Sequence, residues 1–242
     1  MSKLKICVGT ENKKAIEFFS DYFGETQSVP SIIRSKADVG AIFTGTPDMI
    51  FIEGGWVDNR LVESLTDMKH KNRDLKCFQL GYVSSPESFQ FLGKVELPID
   101  EKAFHKVVLP HMQYPERIKV LVVDDEREVC EMIKEYFEFR IKPAFHVRSA
   151  QNGLEGFKLI EQETPDCLIL DIKMPVKTGV ELYRDLIRSG RKILTIIFID
   201  STSSEDILEI RKWGSPIFVE KGGHYSSMSE MISLIKKLIA FS

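Results

Sequence analysis

At 242 residues, 43% apolar and 29% charged, the chain has the balance of a soluble protein with one large core or two smaller ones. Its formal net charge of −3 argues against a dominant nucleic-acid-binding or anionic-membrane surface. Cys7, Cys77, Cys130 and Cys167 stand far apart with no C-x-x-C pair, which excludes a disulfide scaffold or structural zinc site and leaves buried, reduced thiols. The first residues, MSKLKICVGTEN, lack a signal-peptide pattern, and no apolar run reaches the ~18 residues of a membrane span. A soluble, cytoplasmic protein is expected.

In chain order, the pattern predicts a strand at KICV (5–8), a helix over 12–23 and a strand near SIIRS (31–35). The stretch 36–46 has little helical periodicity and reads as a loop. A strand MIFIE (49–53), a helix over 58–69, strands at 76–83 and near 93–97, and a helix over 101–109 follow. Two prolines interrupt the pattern between Pro110 and Arg117, which places a domain boundary there. Beyond it, strand KVLVV (119–123) leads into a helix over 126–139, with Val129, Met132, Ile133, Tyr136 and Phe137 at helical spacing. A strand near 144–147, a helix near 151–162, strand CLILD (167–171) and a helix around 178–189 come next. Strand TIIFI (195–199), a short helix around 204–213, strand PIFVE (216–220) and a closing amphipathic helix complete the chain.

The two halves repeat one another. LKICVGTE (4–11) corresponds to IKVLVVDD (118–125). Thr46-Pro47-Asp48 before MIFIE corresponds to Thr164-Pro165-Asp166 before CLILD, and Val95-Glu96-Leu97-Pro98 to Val219-Glu220-Lys221-Gly222. Strands alternating with helices, several of them uniformly apolar, imply parallel sheets covered on both faces, a doubly wound α/β architecture.

Such sheets bind ligands beyond the C-terminal ends of their strands. The second copy places Asp124 and Asp125, Asp171, Asp200 and Ser201, and Lys221 there. Converging carboxylates repel one another, and a hard divalent cation such as Mg²⁺ relieves that. A nearby lysine suits a phosphoryl oxygen.

VLVVDDE, LILDIKMPVKTG and VEKG together resemble the receiver domain of bacterial two-component response regulators. The resemblance covers about 117–242, and a weaker one covers about 3–112. It implies two flavodoxin-like (βα)5 receiver domains with parallel five-stranded sheets, a degenerate one over 1–113 and a phosphoacceptor one over 117–242. By the same resemblance Asp171 would be the phosphoacceptor. Asp125 and Asp171 would ligate Mg²⁺, Asp124 would do so directly or through water, and the backbone carbonyl of Lys173 would add a ligand. Lys221 would pair with a phosphoryl oxygen, and Phe218 would be the aromatic that turns inward on activation. Ser201 is favoured over Asp200 for the hydroxyl position of the family, because a carboxylate against a phosphoryl group is repulsive. Gly222 departs from the proline usual after the lysine, and the helix before Gly214 is expected to be reduced.

Superposing the repeats puts Thr10 and Glu11 at Asp124 and Asp125, Glu53 at Asp171 and Leu97 at Lys221, so the first copy has lost the chemistry. Glu53 could mimic a phosphorylated Asp, but a structural or protein-binding pseudo-receiver is the simpler reading. Trp56 reads as a cap on the core or as an exposed anchor for a partner. The expected protein is a response regulator with no DNA-binding or enzymatic output domain. A sensor histidine kinase or histidine phosphotransfer protein would phosphorylate it, and it would act on a downstream protein partner or through a dimer of receiver domains. It would be no enzyme apart from transfer to, and hydrolysis from, Asp171. The alternative is an interaction scaffold that is never phosphorylated. A dehalogenase-type phosphatase would want Asp-x-Asp where this chain has Asp171-Ile172-Lys173.

Overall fold

A computed structural model of the protein describes residues 4–24, 26, 28–82, 89–139, 143–199, 204–221 and 224–241, with backbone alone at 204 and 224–226. The chain forms two compact units, Met1–Gln113 with Lys236–Ser242, and Tyr114–Ile235.

In the first unit, strands β1 (Ile6–Gly9), β2 (Ser31–Ile33), β3 (Met49–Glu53), β4 (Lys76–Leu80) and β5 (Gly93–Val95) form one parallel sheet in the order β2-β1-β3-β4-β5. Helices α1 (Lys13–Gly24), α2 (Asn59–Lys71) and α3 (Glu101–Val108) cover it. MIFIE is apolar almost throughout because β3 is central and buried on both faces. Phe51 on that strand anchors an aromatic core, its ring 4.8 Å from Phe19, 5.1 Å from Phe78 and 5.5 Å from Phe104. The expected loop at 36–46 is instead a 3-10 helix, Lys36–Thr44, opened by Ser35 accepting from the Ala37 N–H. It buries only Ile42, and without an apolar stripe of period 3.6 the segment has no face to hold an α-helix against a core.

The second unit repeats the plan. Strands β6 (Arg117–Val123), β7 (Ala144–Ala150), β8 (Cys167–Leu170), β9 (Leu194–Ile199) and β10 (Ile217–Glu220) form a parallel sheet in the order β10-β9-β8-β6-β7. Helices α4 (Arg127–Glu138), α5 (Gly153–Gln162), α6 (Gly179–Arg188), α7 (Ser204–Trp213) and α8 (His224–Phe241) accompany it. Helix α7 is ten residues long as described, and the stretch 200–203 before it, on which the expected reduction also bears, lies outside the described residues. The core gathers Val123, Leu170, Leu182 and Ile197, all fully buried, with Trp213 and Phe218 packed at its margin. The second domain is expected to run to 242, whereas the compact unit ends at Ile235. The Phe241 ring lies 4.9 Å from Phe23, and its carbonyl accepts from the Ser28 hydroxyl at 3.1 Å, which groups the chain end with the first unit.

The Thr-Pro-Asp repeats do one job twice. Asp48 takes the Lys5 N–H at 2.8 Å and Asp166 takes the Lys119 N–H at 2.8 Å, each tying a strand start to its neighbour. Cys77, Cys130 and Cys167 are buried free thiols, and burial pushes Cys77 up to about 12 and Cys130 to about 11; Cys7 is partly exposed. Among the described residues no helix is long and apolar enough to cross a membrane.

Candidate functional site

In each unit the first strand lies between the second and the third, so strand order reverses between strands one and three and opens a crevice at their C-terminal ends. Register brings the acidic residues there. Val123 pairs with Leu170, so the next residues, Asp124 and Asp171, leave the sheet at one level. Backbone bonds hold them: Asp124 N–H donates to the Ala150 carbonyl at 3.1 Å, and Asp171 N–H to the Val123 carbonyl at 2.9 Å. Lys221 arrives from the end of β10, its own N–H bonded to the Ile199 carbonyl at 2.6 Å.

The Lys221 ammonium lies 2.9 Å from Asp124 Oδ2 and 3.0 Å from Asp171 Oδ1. All three residues are buried, at 1%, 8% and 7% exposure for Asp124, Asp171 and Lys221. The other carboxylate oxygens are also used: Asp124 Oδ1 accepts from the Glu126 N–H at 3.0 Å and Asp171 Oδ2 from the Lys173 N–H at 2.7 Å. Burial raises both carboxyls above the ordinary Asp range despite the pull of Lys221, and the Asp124 charge adds to the rise at Asp171. Burial acts to lower Lys221, but its hydrogen bonds to the two carboxylates outweigh this and hold it above the ordinary lysine value.

The structure thus joins Asp124, Asp171 and Lys221. Asp125 and Lys173 are exposed, and the Lys173 backbone N–H bonds Asp171. Ser201, its alternative Asp200, and Gly222 lie outside the described residues. Phe218 is half-buried on β10, with Arg211 5.9 Å from its ring centre. Sequence reading missed Glu126, whose carboxylate is 3.5 Å from the Lys221 ammonium. Its only sequence signal is a third acid directly after Asp124-Asp125.

A divalent cation fits the donor chemistry: hard carboxylate oxygens surround a single ammonium, and burial disfavours their charge. Among the described residues, no three His, Cys, Asp or Glu side chains already converge on one point for a metal.

The loop after Asp171 is tightly determined. Gly179 N–H bonds the Ile172 carbonyl at 3.0 Å, Lys177 N–H the Pro175 carbonyl at 2.8 Å, and Gly153 N–H the Lys177 carbonyl at 3.0 Å. Thr178 and Glu181 then form a reciprocal cap on α6. Val176 is held at φ 69 with 80% of its surface exposed, a conformation a β-branched residue adopts only under constraint. Val176→Asn, which tolerates that region, is expected to stabilise the protein by about 1 kcal/mol. Urea unfolding checks this; an unchanged midpoint would mean the turn stores no strain.

The first unit carries a different arrangement at the same register. Gly9 pairs with Ile52, which sets Thr10 beside Glu53. The Thr10 hydroxyl donates to Glu53 Oε2 at 2.7 Å, and the Glu11 N–H donates to the same oxygen at 3.1 Å. Trp56 is only 6% exposed and packs against Gly9, so the exposed-anchor alternative gives way to the core cap.

Residues 120–233 match the response regulator receiver domain family. Response regulator MprA of Mycobacterium sp. (strain KMS) is 36% identical over 88 residues, which are 36% of this chain and 37% of that protein. The Bacillus subtilis (strain 168) protein named "Probable C4-dicarboxylate response regulator DctR" is 28% identical over 119 residues, 49% of this chain and 52% of that one. The matches therefore span about half or less of these relatives' lengths. Among solved structures, the Vibrio cholerae chemotaxis protein CheY4 aligns with 49% of this chain and 98% of its own, at 21% identity and a TM-score of 0.44.

Proposed function

We propose, from the match of residues 120–233 to the response regulator receiver domain family, that the chain is a signalling switch set by Mg²⁺-dependent phosphorylation of Asp171. The observation that carries this is the buried Asp124–Lys221–Asp171 arrangement at the crevice of the parallel sheet.

A histidine kinase or histidine phosphotransfer protein is the donor. Asp171 forms an oxygen–phosphorus bond while the phosphorus–nitrogen bond of a phosphohistidine breaks, its electron pair returning to the imidazole. Lys173 N–H on Oδ2 orients the attacking carboxylate. Lys221 then offers its ammonium to a phosphoryl oxygen. Asp125, Asp171, Asp124 and the Lys173 carbonyl would hold Mg²⁺, which when bound offsets the charge of the transferring group. By the family's pattern Ser201 would supply the hydroxyl that holds a phosphoryl oxygen. Hydrolysis of the aspartyl phosphate resets the domain, and output passes through altered contacts with a downstream protein or a second receiver.

The first unit serves as a receiver-like partner that is not phosphorylated. Its acidic residue is already bonded to Thr10 and Glu11, and Leu97 stands where Lys221 stands in the repeat.

Intact-protein mass after incubation with acetyl phosphate tests this, with and without Mg²⁺. One added phosphoryl group is expected, lost in Asp171→Ala and kept in Glu53→Ala. No adduct on a folded protein, together with no binding of a beryllofluoride analogue, would reject the acceptor role and leave the unphosphorylated scaffold.

A further inference from the structure

We infer that Glu126 holds the place of an incoming phosphoryl oxygen on Lys221 in the unphosphorylated domain, and that its departure sets how fast Asp171 is phosphorylated. This rests on the acceptor reading of Asp171.

An ammonium has three N–H donors. Among the described residues three carboxylates surround that of Lys221, from Asp124 at 2.9 Å, Asp171 at 3.0 Å and Glu126 at 3.5 Å. A phosphoryl oxygen therefore reaches Lys221 only when one of them withdraws. Asp124 and Asp171 are buried, and each is tied by a backbone N–H to its second oxygen. The Glu126 side chain is 60% exposed and can rehydrate with little loss.

Local structure does not account for where this side chain points. Glu126 is the N-cap residue of α4, a position favouring Ser, Thr, Asp or Asn, and it makes no side-chain cap bond. Its backbone N–H is held by Asp124 Oδ1, which sets the side chain beside the lysine. Glu126 is thus a positioning residue. It keeps the ammonium in place and competes with the substrate for it.

The test is the rate of phosphoryl uptake from acetyl phosphate at low ionic strength with saturating Mg²⁺. The Asp171 oxygen–phosphorus bond forms as the bond to acetate breaks, and acetate leaves with the electron pair. Glu126→Gln is expected to react about two- to five-fold faster than the parent, with the gain shrinking in high salt. Glu128→Gln, the same charge change at an exposed position of α4, should leave the rate unaltered. Equal acceleration by both variants, or none by Glu126→Gln, overturns the inference without touching the role of Asp171.

The ¹⁵N resonance of Lys221 Nζ in the unphosphorylated protein is a second readout that needs no transfer. It should move in Glu126→Gln and stay in Glu128→Gln. An unmoved signal in Glu126→Gln overturns the inference whatever the phosphorylation result. Failure of the parent itself to take up phosphate overturns the acceptor reading instead.

Discussion

Lys221→Met is expected to destabilise the second unit by about 3 kcal/mol near neutral pH, because it leaves two buried carboxylates facing each other without their shared cation. Methionine keeps most of the apolar stem, so the loss reports charge rather than packing. The pH dependence follows from the shifts. Asp124 and Asp171 are raised above 3.8 in the folded protein, so folding takes up protons in the interval above 3.8. Stability from these groups therefore falls as pH rises through their folded values and recovers as pH falls back towards 3.8. Without Lys221 both values rise further, and the variant should approach the parent on acidification. On the alkaline side the sign reverses. Lys221 is raised above 10.5, so its contribution is complete below 10.5 and is lost as pH climbs through the folded value; only the parent shows that loss. Urea midpoints over a pH series check both limbs, and a variant as stable as the parent at neutral pH would show that the ion pairs hold nothing. Phosphoryl uptake should also collapse in this variant.

Gly179→Ala is expected to damage the acceptor loop more than any surface change. A Cβ at this position would collide with the carbonyl oxygen of Asp171 and stand 2.9 Å from its carbonyl carbon. Both are backbone atoms, so no rotamer relieves the clash; the start of α6 must move away from the acceptor. Destabilisation of about 3 kcal/mol is the expected scale for such overpacking. A displacement near 1 Å at Asp171 would slow phosphorylation by about a hundredfold. Gly45→Ala is the control, since nothing lies within 4 Å of a Cβ there and its φ of −102 suits any residue. Unfolding curves and uptake rates of the two variants decide the matter. Parity between them would mean that the contact relaxes without consequence.

Much of this protein could be read in one dimension. Strand positions, parallel pairing and the two-fold repeat follow from apolar runs, turn residues and short motifs, which are local signals. Asp124, Asp171 and Lys221 could be named because each directly follows a strand, and in a parallel sheet the strand ends share one edge. The 3-10 segment at Lys36–Thr44 eluded that reading, since one buried residue, Ile42, leaves no periodicity to detect.

Tertiary structure alone decided what the longer side chains do. Trp56 reads as core cap or, less readily, as anchor until Gly9 is seen against its ring. For Glu53 the sequence leaves the phosphate mimic as the lesser alternative, and only the fold puts the Thr10 hydroxyl and Glu11 N–H on its carboxylate. Glu126 reads as a helix start until Lys221 is brought to it. The reason is physical. Period and motif specify where a backbone goes, but a flexible charged side chain settles on whichever partner the fold delivers from elsewhere in the chain. Only the assembled electrostatics of the crevice identify that partner.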